Sequence, residues 1–306
     1  MRRAIRLAAI FGAAALALSA IPASAFPGRD GFSRQRVPVV NGRANEYSPA
    51  ADGAYVSWTA SGVRRHNRFR VYFSVDGGER QRANAPGTKG WNGGIEGTHL
   101  VFTQYGGGEA DLVLYDMATQ TVLPLPEGVN TDLREFNPTI SGDHLFFDRD
   151  GFGGGNRIED IVLFNTATET ETILVHNEEN NIFHSVGQVN GNWAVYFRCD
   201  FSGTCDVMRY DIDGDVTVTA PNLDGLQQYA PSVTEDGTVY FVRSRPACGD
   251  RVRYMVWDGV SDPTLFNDFR QGRDSYDNFF DETTDTLYYE RFRCGGGSSG
   301  IFKKPA

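Results

Sequence analysis

Short apolar runs punctuated by turn residues recur along the whole chain. Leu100 to Phe102, Leu145 to Phe147, Ala194 to Phe197, Val239 to Val242 and Leu287 to Tyr289 each follow closely on a turn residue, at Gly97, Gly142, Gly191, Gly237 and Asp285 respectively. Gly53 precedes a like run at Tyr55 to Trp58. Runs of this length, bounded by glycine, asparagine and aspartate and rich in aromatic and branched residues, predict strands joined by tight turns. Residues 136 to 175 show the full unit: an aromatic-led strand, a Ser141-Gly142 turn, the apolar run, a glycine-rich connection over Asp150 to Asn156, a strand at Ile161 to Phe164, a turn, and a partly alternating strand from Thr170 to Val175. Helical periodicity is absent, so the class is all-β.

The turn positions 53, 97, 142, 191, 237 and 285 are spaced by 44 to 49 residues. Four strands at that period cannot bury both faces of one small sheet, so the units stack around an axis. The expected architecture is a six-bladed β-propeller of four-stranded antiparallel blades, one domain over residues 37–306. The sixth repeat, from Tyr276, ends after a short third strand at Ile301 to Lys303. Its missing outer strand is expected from the N-terminus, at Val37 to Val40, where Pro38 fits only a sheet edge.

Composition adds an address. Arg2, Arg3 and Arg6 precede the apolar stretch Leu7 to Ile21, and Ala23-Ser24-Ala25 supplies a small-residue cleavage pattern. Residues 1–25 therefore read as a signal peptide cut after Ala25, followed by a polar lead-in over 26–36. This implies a secreted or periplasmic, cell-envelope protein with no integral membrane segment once the signal is removed. The formal net charge is -10, and losing three arginines with the signal makes it more negative. Such a surface repels phosphate backbones, which excludes a nucleic-acid partner.

Export and an even count of four cysteines suggest two disulfides. Cys199 and Cys205 flank one hairpin and are expected to bond locally. Cys248 and Cys294 occupy the same inter-strand loop of blades five and six and are expected to tie the ring near its closure, adding roughly 3 to 4 kcal/mol in the chain-entropy picture.

The repeat resembles the WD40-like, TolB-type propeller repeat, which carries proline, two residues, then Ser-Pro-Asp-Gly before an apolar strand. Asn137-Pro138-Thr139-Ile140-Ser141-Gly142-Asp143, Ala230-Pro231-Ser232-Val233-Thr234-Glu235-Asp236-Gly237 and Ser48-Pro49-Ala50-Ala51-Asp52-Gly53 carry the likeness. Blades two, four and six have Gly93, Val186 and Asn278 in place of the proline. The resemblance implies a protein-interaction platform of the bacterial cell envelope, or a gating domain fused to a peptidase. A fold of this kind does not by itself assign a function.

Aligning the starts of the first strands gives a ring of candidate ligand-binding residues: Tyr47, Trp91, Phe136, His184, Tyr229 and Tyr276, followed by polar positions that include Asn92, Asn137 and Asp277. Read one way, these aromatics pack between blades. Read the other way, they form a hydrogen-bonding rim for a protein or carbohydrate ligand. The same face collects the longer inter-strand loops, with Arg64, Arg65, Arg68, Arg245, Arg251 and Arg293; loops on a rigid scaffold are where binding concentrates. Two acidic patterns, from Asp148 to Glu159 and from Asp211 to Asp215, resemble calcium loops but read as a glycine connection and a tight turn. His99 and His144 share one repeat position and His66 and His176 lie in loops or near strand ends. No catalytic constellation, metal site or cofactor is expected. The sequence reads as a monomeric, non-catalytic binding platform, with a lyase or hydrolase acting on a polysaccharide or lactone near His184 and Asp277 as the alternative.

Overall fold

The computed structural model describes residues 35–37, 44–62, 65–106, 109–153, 156–177, 182–200, 204–222, 224–244, 252–268, 273–275, 277–293 and 299–306. Among them every regular element is a strand. After β1 (Gln35–Arg36), the first blade contains β2 (Ala44–Asp52), β3 (Tyr55–Gly62), β4 (Arg65–Val75) and β5 (Gln81–Arg82). The second has β6 (Lys89–Glu96), β7 (His99–Gly106), β8 (Glu109–Asp116) and β9 (Thr121–Leu123). The third has β10 (Arg134–Ser141), β11 (His144–Gly153), β12 (Asn156–Asn165) and β13 (Thr170–Asn177). The fourth has β14 (Ile182–Asn190), β15 (Trp193–Asp200), β16 (Cys205–Asp211) and β17 (Val216–Thr219). The fifth has β18 (Gln227–Val233), β19 (Val239–Ser244), β20 (Arg253–Trp257) and β21 (Thr264–Asp268). The sixth is built from β22 (Arg273–Asp274), β23 (Asn278–Asp281), β24 (Thr286–Arg293) and β25 (Gly300–Pro305).

The first five blades are antiparallel sheets in sequence order and the sixth adds β1 outside β25, and the inner strands β2, β6, β10, β14, β18 and β23 contact one another in turn until β23 meets β2. The fold is a six-bladed β-propeller. Its core is shared between blades. In β7, Leu100 and Phe102 pack toward the first blade with Val71 and Phe73, while Val101 packs toward the third with Leu145 and Phe147. Successive side chains of a strand point to opposite faces, so a strand covered on both faces must be apolar throughout. That requirement produces the unbroken runs seen in the sequence.

The ring closes through the N-terminal segment, as its missing strand required. The paired residues begin two positions earlier than expected: Gln35 and Arg36 lie opposite Lys303 and Phe302, and the Val37 amide donates to the Ile301 carbonyl at 3.3 Å. Val37 is buried against Ala51, Trp58, Tyr288 and Ile301. Residues 38–43 lie outside the described residues, as does the candidate signal segment 1–25. A second difference lies in the third blade. The glycine connection expected over Asp150 to Asn156 is largely ladder, with Asp150 opposite Glu159 and Gly153 opposite Asn156. Backbone pairing does not need side chains, so glycines prolong the hairpin instead of ending it. At Gly151 a side chain would overlap Leu133, so glycine there admits the preceding connection.

Candidate functional site

Among the described residues, five continuous inner strands carry the same irregularity. Pairing between first and second strands slips between Tyr47 and Ala50, Asn92 and Ile95, Phe136 and Thr139, Val186 and Val189, and Tyr229 and Ser232. A bulge of this kind re-aims the chain and frees backbone from the ladder. In the odd blades the bulge is a residue at positive φ followed by proline: Ser48-Pro49 (φ 45), Asn137-Pro138 (φ 52) and Ala230-Pro231 (φ 49). For a residue with a Cβ this backbone costs about 1–2 kcal/mol, least for asparagine. In blades two and four glycine stands in the proline's place. A Cβ on Gly93 would overlap the Pro138 carbonyl, and one on Gly187 the Pro231 carbonyl. Proline and glycine thus alternate from blade one to blade five, with Pro138 fitting against Gly93 and Pro231 against Gly187 of the preceding blades.

These bulges floor a cavity of about 430 Å³ at the mouth of the channel. Its walls include Trp91, Tyr229, Phe183, Phe197, the amide residues Asn92, Asn137 and Asn278, and Asp277. Trp91 is held by a stack on Tyr47, with ring centroids 5.5 Å apart, and by an edge contact with Phe69 at 5.1 Å. The disulfide Cys199–Cys205 joins directly opposed residues of β15 and β16, with Cα atoms 3.9 Å apart, and forms part of the wall. Closing so short a loop contributes about 2 kcal/mol in the chain-entropy picture.

Hydrogen bonds run around the mouth from blade to blade. Asn92 Nδ2 donates to the Ser48 carbonyl at 2.7 Å, Ser48 Oγ donates to Asp277 Oδ2 at 2.8 Å, and Asn278 Nδ2 donates to the Ala230 carbonyl. On the other side Asn137 Nδ2 donates to Asp148 Oδ2 at 2.9 Å and to Ser185 Oγ at 3.3 Å, and Ser185 Oγ donates to the same carboxyl at 3.2 Å. Burial raises the Asp277 carboxyl above its ordinary range, against the hydrogen bonds from Ser48. Asp148 is pushed up to about 8 by burial, with the Glu159 charge adding to it, while its bonds from Asn137, Ser185 and the Val186 amide pull the other way.

Asp148 takes a position that hydroxyls fill elsewhere. The amide of Asn92 donates to Thr59 Oγ1 and that of Asn137 to Thr103 Oγ1; the amide of Val186 donates to Asp148 Oδ1. This makes Val186 the counterpart of Asn92 and Asn137, and Ser185 the counterpart of Trp91 and Phe136. The expected ring therefore slips by one residue in blade four. His184 does not line the cavity; it is 3% exposed, its Nδ1 has no partner among the described residues, and burial and then the Arg198 charge lower its pKa to about 4. Counting back six residues from the turn glycine finds Tyr47, Trp91 and Phe136, and the same count from Gly191 finds Ser185.

Of the other expected residues, Trp91, Asn92, Asn137, Tyr229 and Asp277 line the cavity, whereas Tyr47 braces Trp91 from behind. Phe136 is half-buried and stands opposite Asp148, outside the lining. Tyr276, Cys248 and Cys294 lie outside the described residues, as do Arg64, Arg245 and Arg251. Ser48, Ser185 and Asn278, together with Phe183 and Phe197, also line the cavity; the phenylalanines carry no repeat signal. In the acidic patterns, Arg134 pairs with Asp150 at 2.6 Å, and Asp211 caps its own turn by accepting from the Gly214 amide at 3.0 Å.

No family model matches the sequence, and neither does any curated protein. Solved structures do match in fold. A putative TolB from Agrobacterium tumefaciens superimposes with a TM-score of 0.57 at 15% identity, over 85% of this chain and 90% of that one. TolB from Acinetobacter baumannii gives 0.55 at 10% identity, over 87% and 79%. Puromycin hydrolase gives 0.53 at 13% identity, over 87% of this chain and 52% of that protein. The likeness extends to the propeller itself.

Proposed function

We propose that this chain is an exported, non-catalytic binding propeller of the cell envelope that takes part of a protein or carbohydrate partner into the cavity at its channel mouth. The carrying observation is the cavity: bulges at the same place in five blades, three of them at strained positive φ, converge on a space of about 430 Å³ walled by aromatic rings and amides. Concave sites of this size and mixed character suit a ligand, and strain concentrates where it serves a site. The signal-like N-terminus, the disulfide and the TolB-like fold support the envelope setting. Asp277 is the one aspartate or glutamate lining the cavity among the described residues, whereas the usual glycoside hydrolase uses a pair of carboxyl groups.

Affinity capture from an envelope fraction with the wild-type chain and Trp91→Ala tests this. Losing a ring of that size from a binding wall should weaken capture by about tenfold or more, while the variant stays folded and its melting temperature falls only modestly from the lost contacts with Tyr47 and Phe69. Capture that ignores Trp91 would point elsewhere on the molecule. Turnover of a polysaccharide or lactone that is lost in Asp277→Asn would overturn the non-catalytic reading.

A further inference from the structure

We infer that the cavity is built to receive a cationic hydrogen-bond donor, a primary ammonium or a guanidinium, with the Asp277 carboxylate as its acceptor and the Trp91 and Tyr229 rings as walls. The inference rests on the cavity being the binding site and specifies its ligand.

The argument is one of donors and acceptors. The amide and hydroxyl donors of five lining residues are engaged within the protein. Asn92 Nδ2 serves the Ser48 carbonyl, Asn278 Nδ2 the Ala230 carbonyl, Asn137 Nδ2 the Asp148 carboxyl, and the hydroxyls of Ser48 and Ser185 bond Asp277 and Asp148. Because Asn92 and Asn278 face backbone carbonyls, which only accept, the network fixes their orientation and turns their oxygens the other way. Asn92 Oδ1 and Asn278 Oδ1 are buried without a partner among the described residues. Both residues line the arc that holds Asp277, and neither amide oxygen meets a cavity ligand in competition with that carboxyl. An anion would meet the Asp277 charge and find these donors committed. No lysine or arginine lines the cavity among the described residues. Aromatic faces attract a cation as well, and the chain's net charge of -10 draws cations toward it.

The test uses the whole exported chain and nuclear magnetic resonance of the Trp91 indole, assigned with Trp91→Phe. Nα-acetyl-lysine amide, Nα-acetyl-arginine amide and glucosamine are titrated beside the neutral counterparts Nα-acetyl-norleucine amide and N-acetylglucosamine. At least one cation should bind about tenfold more tightly than its neutral counterpart, and Asp277→Asn should abolish the difference. The arms separate side-chain from amino-sugar sources. Equal binding of neutral and charged probes would overturn the cation inference and leave the cavity as a binding site. A Trp91 signal unmoved by all five would overturn both. The neutral probes on wild-type protein decide the matter even if Asp277→Asn does not fold.

Discussion

At the scale of single residues, the carboxyl at Asp148 does in blade three what threonine hydroxyls do in blades one and two. Burial pushes it up to about 8. In the unfolded chain an aspartate titrates near about 3.9. Between those values the folded state keeps a proton that the unfolded state has released, so stability falls as pH rises through this window and the full penalty stands above it. His184, lowered to about 4, acts in the opposite direction: its contribution is lost as pH falls from the ordinary histidine range toward that value. Asp148→Thr copies Thr59 and Thr103 and still offers the Val186 amide an acceptor. Melting curves from about pH 5 to about pH 9 should show the variant gaining on the wild type as pH rises. A pH-independent difference would mean that Asp148 does not titrate there.

At the scale of elements, the inner strands are bulged by two devices that alternate from blade one to blade five. At Pro138 and Pro231, each following a residue at positive φ, the preceding blade offers glycine at the contact. Gly93→Ala would force a methyl into the Pro138 carbonyl, with the Val101 carbonyl also within 2.7 Å, and both neighbours are backbone that cannot step aside. Chemical denaturation should show a loss of about 2 kcal/mol or more. Gly106→Ala is the matched control, because nothing lies within 4 Å of its added carbon; it should change stability by less than about 0.5 kcal/mol. Equal effects of the two would refute the interlocking of neighbouring bulges.

At the scale of the whole molecule, the first and last strands hold the ring closed. Removing residues up to Val37 would leave β25 with a bare edge and take Val37 out of the cluster around Trp58 and Tyr288. Losing one such buried side chain and its pairing costs about 2 kcal/mol, which in a domain of this size is a fall in melting temperature of about 5 °C. The open edge should also promote association, visible in light scattering. A truncated chain that melts like the full one and stays monodisperse would show that closure does not depend on β1.

Much of this was legible in the residues. Strands buried on both faces must be apolar without interruption, and turns need glycine or aspartate, so the period, the all-β class and the count of six follow from chain chemistry. The local disulfide was readable for the same reason, since one hairpin brings Cys199 and Cys205 face to face. Other features depend on contacts between residues about 45 positions apart, which leave no local mark. Ser185, not His184, occupies the ring in blade four because the Val186 amide must meet Asp148 across a blade boundary. Phe183 and Phe197 reach the cavity from the paired strands β14 and β15, and the orientation of Asn92 and Asn278 is set by carbonyls of neighbouring blades. The sequence determined which segments pair and stack, because that is periodic and local; the folded ring alone decided which atoms face the cavity and which are spent holding it together.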